Sequence, residues 1–257
     1  MNTAASKWRE DLASWAIPKE ILDGAETKPW IHPPAVFQIP KVIPDSPSLQ
    51  RIREALTSGG SILDIGCGGG IASFGCTPPA NHVAGVDQQQ EMLDLYSENA
   101  KKFNVSSETF LGDWPDISNQ VPTADVVTAF HVVYNVGEIK PFIEALDAHA
   151  GKRVVLELPT AHPMTAMAAG WKHFWNLDRP TKPSAEDLIK VISELGINAE
   201  IEYFSGPILL DKVISEFEKP LRIRLCLPET RDEEVKAFFT QNPLPTTRNL
   251  AVIWWDK

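Results

Sequence analysis

Ser61-Ile62-Leu63-Asp64-Ile65-Gly66-Cys67-Gly68-Gly69-Gly70 is the stretch on which the reading of this chain turns. Residues 62–65 form a short apolar run, the pattern of a buried strand, and it breaks into glycines with no polar lead-in. Glycine at 66, 68 and 70 lets the backbone turn sharply and approach a ligand, because no Cβ stands in the way. A strand ending in such a turn reads as part of an α/β fold, whose ligands collect outside the carboxyl ends of the strands. Two common ligand classes do not fit. The dinucleotide fingerprint needs glycine at its first, third and sixth positions, and counted from Gly66 the sixth is Ile71. A phosphate-binding loop needs Gly-Lys-Ser/Thr to follow, and none does.

Working outward, Ser46-Pro47 places a capping residue before a proline at the first helical position, and Gly59 follows the last turn. Leu49, Ile52, Ala55 and Leu56 give that helix one apolar face. Beyond the glycines, residues 82–86 read as a second strand ending at Asp87, followed by a helix with Met92, Leu95, Tyr96, Ala100 and Phe103 on one face. Residues 108–111 read as a third strand that stops at Gly112-Asp113-Trp114-Pro115, and residues 125–130 as a fourth that runs into His131. A helix over 138–148, a strand over 153–158, a helix opened by Ser184 and closed by Gly196, and strands over 199–204 and 250–255 complete the frame. Such alternation implies right-handed crossovers and a mainly parallel sheet.

The segments outside this frame are rich in aromatic residues. In the first 45 residues, Trp8, Leu12 and Trp15 recur at helical spacing. Pro29-Trp30-Ile31-His32-Pro33-Pro34 and Ile39-Pro40 then make a stiff extended arm, either a linker or a flap that packs tryptophans over a pocket. Residues 160–183 carry Trp171, Phe174 and Trp175, and residues 205–247 hold at least one helix. At 257 residues the chain reads as one domain, with a core of 46–204 and 248–257 and a cap made of 1–45, 160–183 and 205–247.

Composition narrows the partners. A formal net charge of −10 argues against a nucleic-acid backbone or an anionic membrane as the main partner. Three cysteines without a Cys-x-x-Cys, and six histidines without ligand-type spacing, suggest reduced thiols and no metal site. Residues 1–10 lack a signal-peptide layout and no apolar run approaches membrane-spanning length, so a cytoplasmic location is expected.

Asp64-x-Gly66-x-Gly68-x-Gly70, with its acid two residues before the first glycine, resembles the first motif of the class I S-adenosylmethionine-dependent methyltransferases, which implies that Asp64, Gly66 and Gly68 contact the cofactor. The later strands extend the resemblance over roughly residues 46–204 and the last strand. It implies a Rossmann-like, seven-stranded, mainly parallel sheet with an antiparallel final strand, and S-adenosylmethionine as cofactor. Asp87 ends the second strand, where the family places the acid that accepts both ribose hydroxyls, with Gln88 beside it. Asp113 and Trp114 follow the third strand, where the family holds adenine. Phe130 ends the fourth, where carbonyls face the methionine amine. One departure is Gln88-Gln89-Gln90, where many relatives carry an apolar residue or serine. The cofactor carries no phosphate, so acids and close-approaching backbone suit it better than lysines.

The resemblance implies in-line methyl transfer to an oxygen, nitrogen or carbon nucleophile, here on a small or medium-sized organic acceptor. His131 is the candidate base or orienting group, with Tyr134 and Asn135 in the same loop and Trp171, Phe174 and Trp175 as candidate acceptor contacts. The rivals are another nucleoside-cofactor enzyme, an aminopropyltransferase or a dehydrogenase, and a non-catalytic cofactor-binding protein. Oligomeric state is not legible in the sequence.

The Asp87 assignment carries a ranking. Hydrogen bonds to a charged group contribute about 1.5–3 kcal/mol each. Asp87→Ala should therefore weaken S-adenosylhomocysteine binding by roughly ten-fold to several thousand-fold. Asp113→Ala should cost less, since adenine is also held by backbone and stacking. Calorimetry on the two variants measures the order, and equal small losses would make both acids mere turn formers.

Overall fold

The computed structural model describes residues 3–27, 29, 37–40, 42–207 and 218–257. Trp30, His32 and the Pro33-Pro34 pair of the expected arm lie outside these residues. In chain order the elements are α1 (Ala4–Ala13), α2 (Lys19–Asp23), α3 (Pro47–Ala55), β1 (Ser61–Ile65), α4 (Ile71–Phe74), β2 (His82–Asp87), α5 (Gln90–Phe103), β3 (Ser106–Leu111), β4 (Ala124–Phe130), α6 (Ile139–His149), β5 (Ala150–Pro159), α7 (Ala168–Trp175), α8 (Ala185–Glu194), β6 (Glu200–Pro207), α9 (Glu218–Arg224), α10 (Asp232–Gln241) and β7 (Thr247–Asp256). The strands make one seven-stranded sheet in the order β3-β2-β1-β4-β5-β7-β6. β7 runs antiparallel between β5 and β6, and the strands from β3 to β5 pair in parallel. The order reverses between β1 and β4, the switch point at which an open α/β sheet binds its ligand.

Both faces of the sheet are covered. Trp8 of α1, Phe142 and Leu146 of α6 and Leu188 and Ile192 of α8 pack on one face. Ile52 of α3, Phe74 of α4 and Tyr96 of α5 pack on the other. Local signals set the ends: the Ser46 hydroxyl accepts from the Leu49 amide at 3.3 Å to start α3, and Ser184 and Asp187 form the capping box of α8. The helix after the glycine loop is only four residues long. Gly75 follows it and Pro78-Pro79 lie beyond, and prolines cannot supply the next amide donors of a helix.

A third apolar cluster stands apart from the sheet. Ile21, Met167, Trp171, Leu225, Leu227 and Val235 form it, drawn from the N-terminal segment and from both segments outside the repeating frame. Polar contacts knit the same parts together. Arg222, 3% exposed, meets Asp232 at 2.6 Å, Glu26 at 3.4 Å and the Leu227 carbonyl at 2.7 Å. The Trp175 indole donates to the Leu225 carbonyl at 2.6 Å, and that of Trp15 to the Lys182 carbonyl at 2.5 Å. Trp15 lies past the end of α1 rather than on its face, so a turn and not helical spacing aims it. All three cysteines are free and buried, and burial pushes Cys76 up to about 12 and Cys226 up to about 11, which makes them poor nucleophiles.

Trp171 is fully buried in the third cluster, whereas Phe174 and Trp175 are only partly covered. Trp171→Ala should cost about 3–5 kcal/mol of stability, as truncation of a core aromatic does, and Phe174→Ala less. Urea unfolding of the two variants tests this; equal small losses would mean the cluster is not a packed core.

Candidate active site

The glycine loop is built by close approach. Gly66 turns at φ 68, and a Cβ there would stand 2.5 Å from Val132 Cγ2, so any side chain would drive the loop off the end of β4. Gly68 and Gly69 are pressed from outside by the Phe37 ring and carbonyl, the described end of the N-terminal arm. The Gly66 and Cys67 amides donate to the Val86 carbonyl at 2.8 and 3.0 Å, which fastens the turn to β2.

Beneath the loop, Asp64 is 2% exposed and both its oxygens are engaged. Ser73 of α4 donates to Oδ2 at 2.9 Å and Thr128 of β4 to Oδ1 at 3.0 Å, while Tyr96 of α5 donates to Ser73 at 2.7 Å. Asp64 was expected to face the cofactor directly; the geometry turns its carboxylate into the core, because β1 pairs Asp64 with Thr128 in register. Burial pushes this carboxyl up to about 7, against the pull of the two hydroxyl bonds and with a contribution from the charge of Asp87.

Asp87 ends β2 as read from the sequence. Its Oδ2 accepts from the Gly68 amide at 3.1 Å and its Oδ1 from the Gln89 amide at 3.0 Å. Burial raises its carboxyl, and backbone donors from Gln89, Gly68 and Gln88 oppose that rise. Each carboxylate oxygen can accept more than one hydrogen bond, so capacity for hydroxyl groups remains. Gln88 and Asp113 are exposed. Trp114 is half-buried, edge-on to His149 at 4.9 Å, and its indole N–H has no partner among the described residues.

At the end of β4, Phe130 pairs in register with Glu157 of β5 and packs on the α3–α5 side. His131 then takes a left-handed φ of 61, donates its amide to the Glu157 carbonyl at 2.7 Å, and sets its Nε2 2.9 Å from Glu157 Oε1. Arg248 Nη2 lies 3.3 Å from the same ring nitrogen. Glu157 and Arg248 were not singled out from the sequence; the only signal was an acid within an apolar strand. Of the two loop candidates, Asn135 is exposed, whereas Tyr134 is buried and donates to the Pro159 carbonyl at 2.8 Å. The Tyr134 ring stacks on Trp8 at 5.7 Å and meets His162 edge-on at 5.3 Å. His162 in turn stacks on Trp15 at 3.9 Å. Burial, helped by the charge of Arg179, pushes His162 down to about 4, so it is a neutral ring at neutral pH. Arg179 links this ring series to the third cluster, lying 5.1 Å from both the Trp15 and the fully buried Trp171 rings.

These features define a ligand-binding Rossmann-like protein whose loop suits a nucleoside cofactor without a phosphate. Residues 61–75 contain no lysine or arginine, and the acids lie at strand ends. A family described as "Methyltransferase domain" matches residues 62–149. A Haemophilus influenzae protein of uncharacterised function is 36% identical over 221 residues, 76% of each chain. Among solved structures, magnesium protoporphyrin IX methyltransferase from Synechocystis with bound S-adenosylhomocysteine has a TM-score of 0.52 at 14% identity, covering 80% of this chain and 79% of its own. The YcgJ protein of Bacillus subtilis has a TM-score of 0.54 at 17% identity, covering 82% and 97%. The chain belongs to the class I S-adenosylmethionine-dependent methyltransferases and is an enzyme that uses this cofactor. Among the described residues no group of side chains could hold a metal ion, and no helix is long and apolar enough to cross a membrane.

The raised Asp64 carboxyl gives a pH dependence. Unfolded, the group titrates near 3.8 and, folded, near 7. Between those values the unfolded chain releases the proton first, so this contribution to stability is full in acid and falls as pH rises through about 7. The slope is on the order of 1.4 kcal/mol per pH unit. Asp64→Asn should flatten the fall in stability across this range, read by urea unfolding at several pH values; a slope matching wild type would place the titration elsewhere.

Proposed function

We propose that the methyl acceptor is a small or medium-sized organic molecule, seated at the carboxyl ends of β4 and β5. The observation that carries this reading is His131, whose side chain is one-third exposed at the end of β4, beside the switch point where such a sheet binds its ligand. The net charge of −10 supports the same choice over a nucleic-acid acceptor and fits a cytoplasmic enzyme. Residues 46–204 and 248–257 are the catalytic core of one domain, and residues 1–45, 160–183 and 205–247 cap it. Phe174 and Trp175 are the ring contacts for the acceptor, and Trp171 supports them from within.

Bound S-adenosylmethionine supplies a methyl group already activated by its positively charged sulfur. The glycine loop, Asp87 and Gln88 would hold its ribose and methionine parts, and Asp113 and Trp114 its adenine. Positioning and exclusion of water provide much of the rate in such a transfer, and His131 is the candidate for moving a proton.

The test is release of S-adenosylhomocysteine from S-adenosylmethionine across a panel of phenols, amines and aromatic acids, with transfer RNA and duplex DNA in parallel. Turnover on small molecules, with the acceptor KM raised in Trp175→Ala, is the expected result. Methyl incorporation into nucleic acid alone would overturn the acceptor class.

A further inference from the structure

His131 is one member of a polar cluster that four elements build at the end of β4. Glu157, 7% exposed, comes from β5, Arg248 from the first turns of β7, and Ser48, fully buried, from the first turn of α3. Buried polar atoms almost always find hydrogen-bond partners. Here His131 Nδ1 and Arg248 Nε are buried without one among the described residues, while the Ser48 hydroxyl faces the Glu157 carboxylate. Two such atoms beside one carboxylate mark the cluster as something other than ordinary core.

The two contacts of His131 Nε2 cannot both be hydrogen bonds in one protonation state. Arginine only donates, so Arg248 at 3.3 Å needs a lone pair on Nε2, whereas Glu157 at 2.9 Å needs an N–H there. A lone pair set against a carboxylate would be repelled, while the guanidinium is drawn to this place by the charge of Glu157 in any case. The contact that survives is Nε2–H donating to Oε1. Burial raises the Glu157 carboxyl, but the His131 bond and charge, with Ser48 and Arg248 facing it, outweigh that and hold it below its ordinary value. Glu157 is therefore a carboxylate at neutral pH. A neutral imidazole protonated at Nε2 has one basic atom left, Nδ1.

Resting on the methyl-transfer reading above, we infer that Glu157 is a positioning residue: it holds His131 as the Nε2–H tautomer, so that Nδ1 accepts the proton shed by the acceptor. The proton passes from the nucleophilic O–H or N–H to Nδ1, its bonding pair stays on the acceptor atom, and the resulting imidazolium is balanced by Glu157. This narrows the acceptor to one whose reacting oxygen or nitrogen carries a proton, a phenol, alcohol or amine.

Nitrogen-15 NMR of the ring of His131 in the wild-type protein, at a pH where the imidazole is neutral, reads the tautomer directly and needs no acceptor. Protonation at Nε2 is expected; protonation at Nδ1 would make Arg248 the donor and overturn the inference. Glu157→Gln adds a second readout on an acceptor found in the panel above: kcat should fall roughly 10- to 100-fold with the acceptor KM within a few-fold. An unchanged kcat would also overturn it. Calorimetry with S-adenosylhomocysteine separates the two levels. Failure of both wild type and variant to bind would sink the active-site reading, whereas normal binding with the wrong tautomer sinks only the role of Glu157.

Discussion

The carboxylate of Asp64, sealed beneath the glycine loop, is the interaction on which the rest of the site depends. Its two oxygens tie β1 to α4 through Ser73 and to β4 through Thr128, and Tyr96 extends the chain of hydroxyls to α5. Four elements thus converge under one turn. The arrangement comes at the expense of desolvating the acid, which its raised carboxyl records. In return the loop has a floor made of directed hydrogen bonds rather than of apolar contact, and directed bonds fix position more sharply. The Gly66 turn, which touches Val132 and hangs from Val86, inherits that precision.

Directed bonds also tie together the N-terminal segment and the third cluster. The indole N–H groups of Trp8, Trp15 and Trp175 reach backbone carbonyls of distant segments. Arg179 stands 5.1 Å from both the Trp15 and Trp171 rings, and burial lowers its guanidinium. Arg222 draws carboxylates from Glu26, Glu229 and Asp232. Such a buried cation is weak evidence of stabilisation, because desolvation offsets much of the attraction, but it gives the packing of these segments a single register.

Much of the frame was legible because its signals are local. The apolar run before Gly66, the capping residues at Ser46 and Ser184 and the acid at the end of β2 each act within a few residues of where they stand in the sequence. The short α4 was not anticipated, although Gly75 and Pro78-Pro79 carry the reason for it. The placement of Trp171 was not legible, since an aromatic residue in an insert reads the same whether it ends in a wall or in a core. Its burial depends on Leu225 and Val235, more than fifty residues away.

By itself, then, the sequence determined the order of the strands and of the longer helices between them, the glycine turn and which acids end which strands, because propensity, periodicity and capping are short-range. Only the tertiary structure decided that Asp64 faces inward, that Glu157 and Arg248 close on His131, and that Tyr134 stands in line with His162 and Trp15. The first two rest on register across the sheet. β7 enters antiparallel beside β5, setting Glu157 opposite Val252, and so returns Arg248 to a carboxylate that lies ninety-one positions earlier in the chain. Pairings of that kind leave no periodic mark in the chain that makes them.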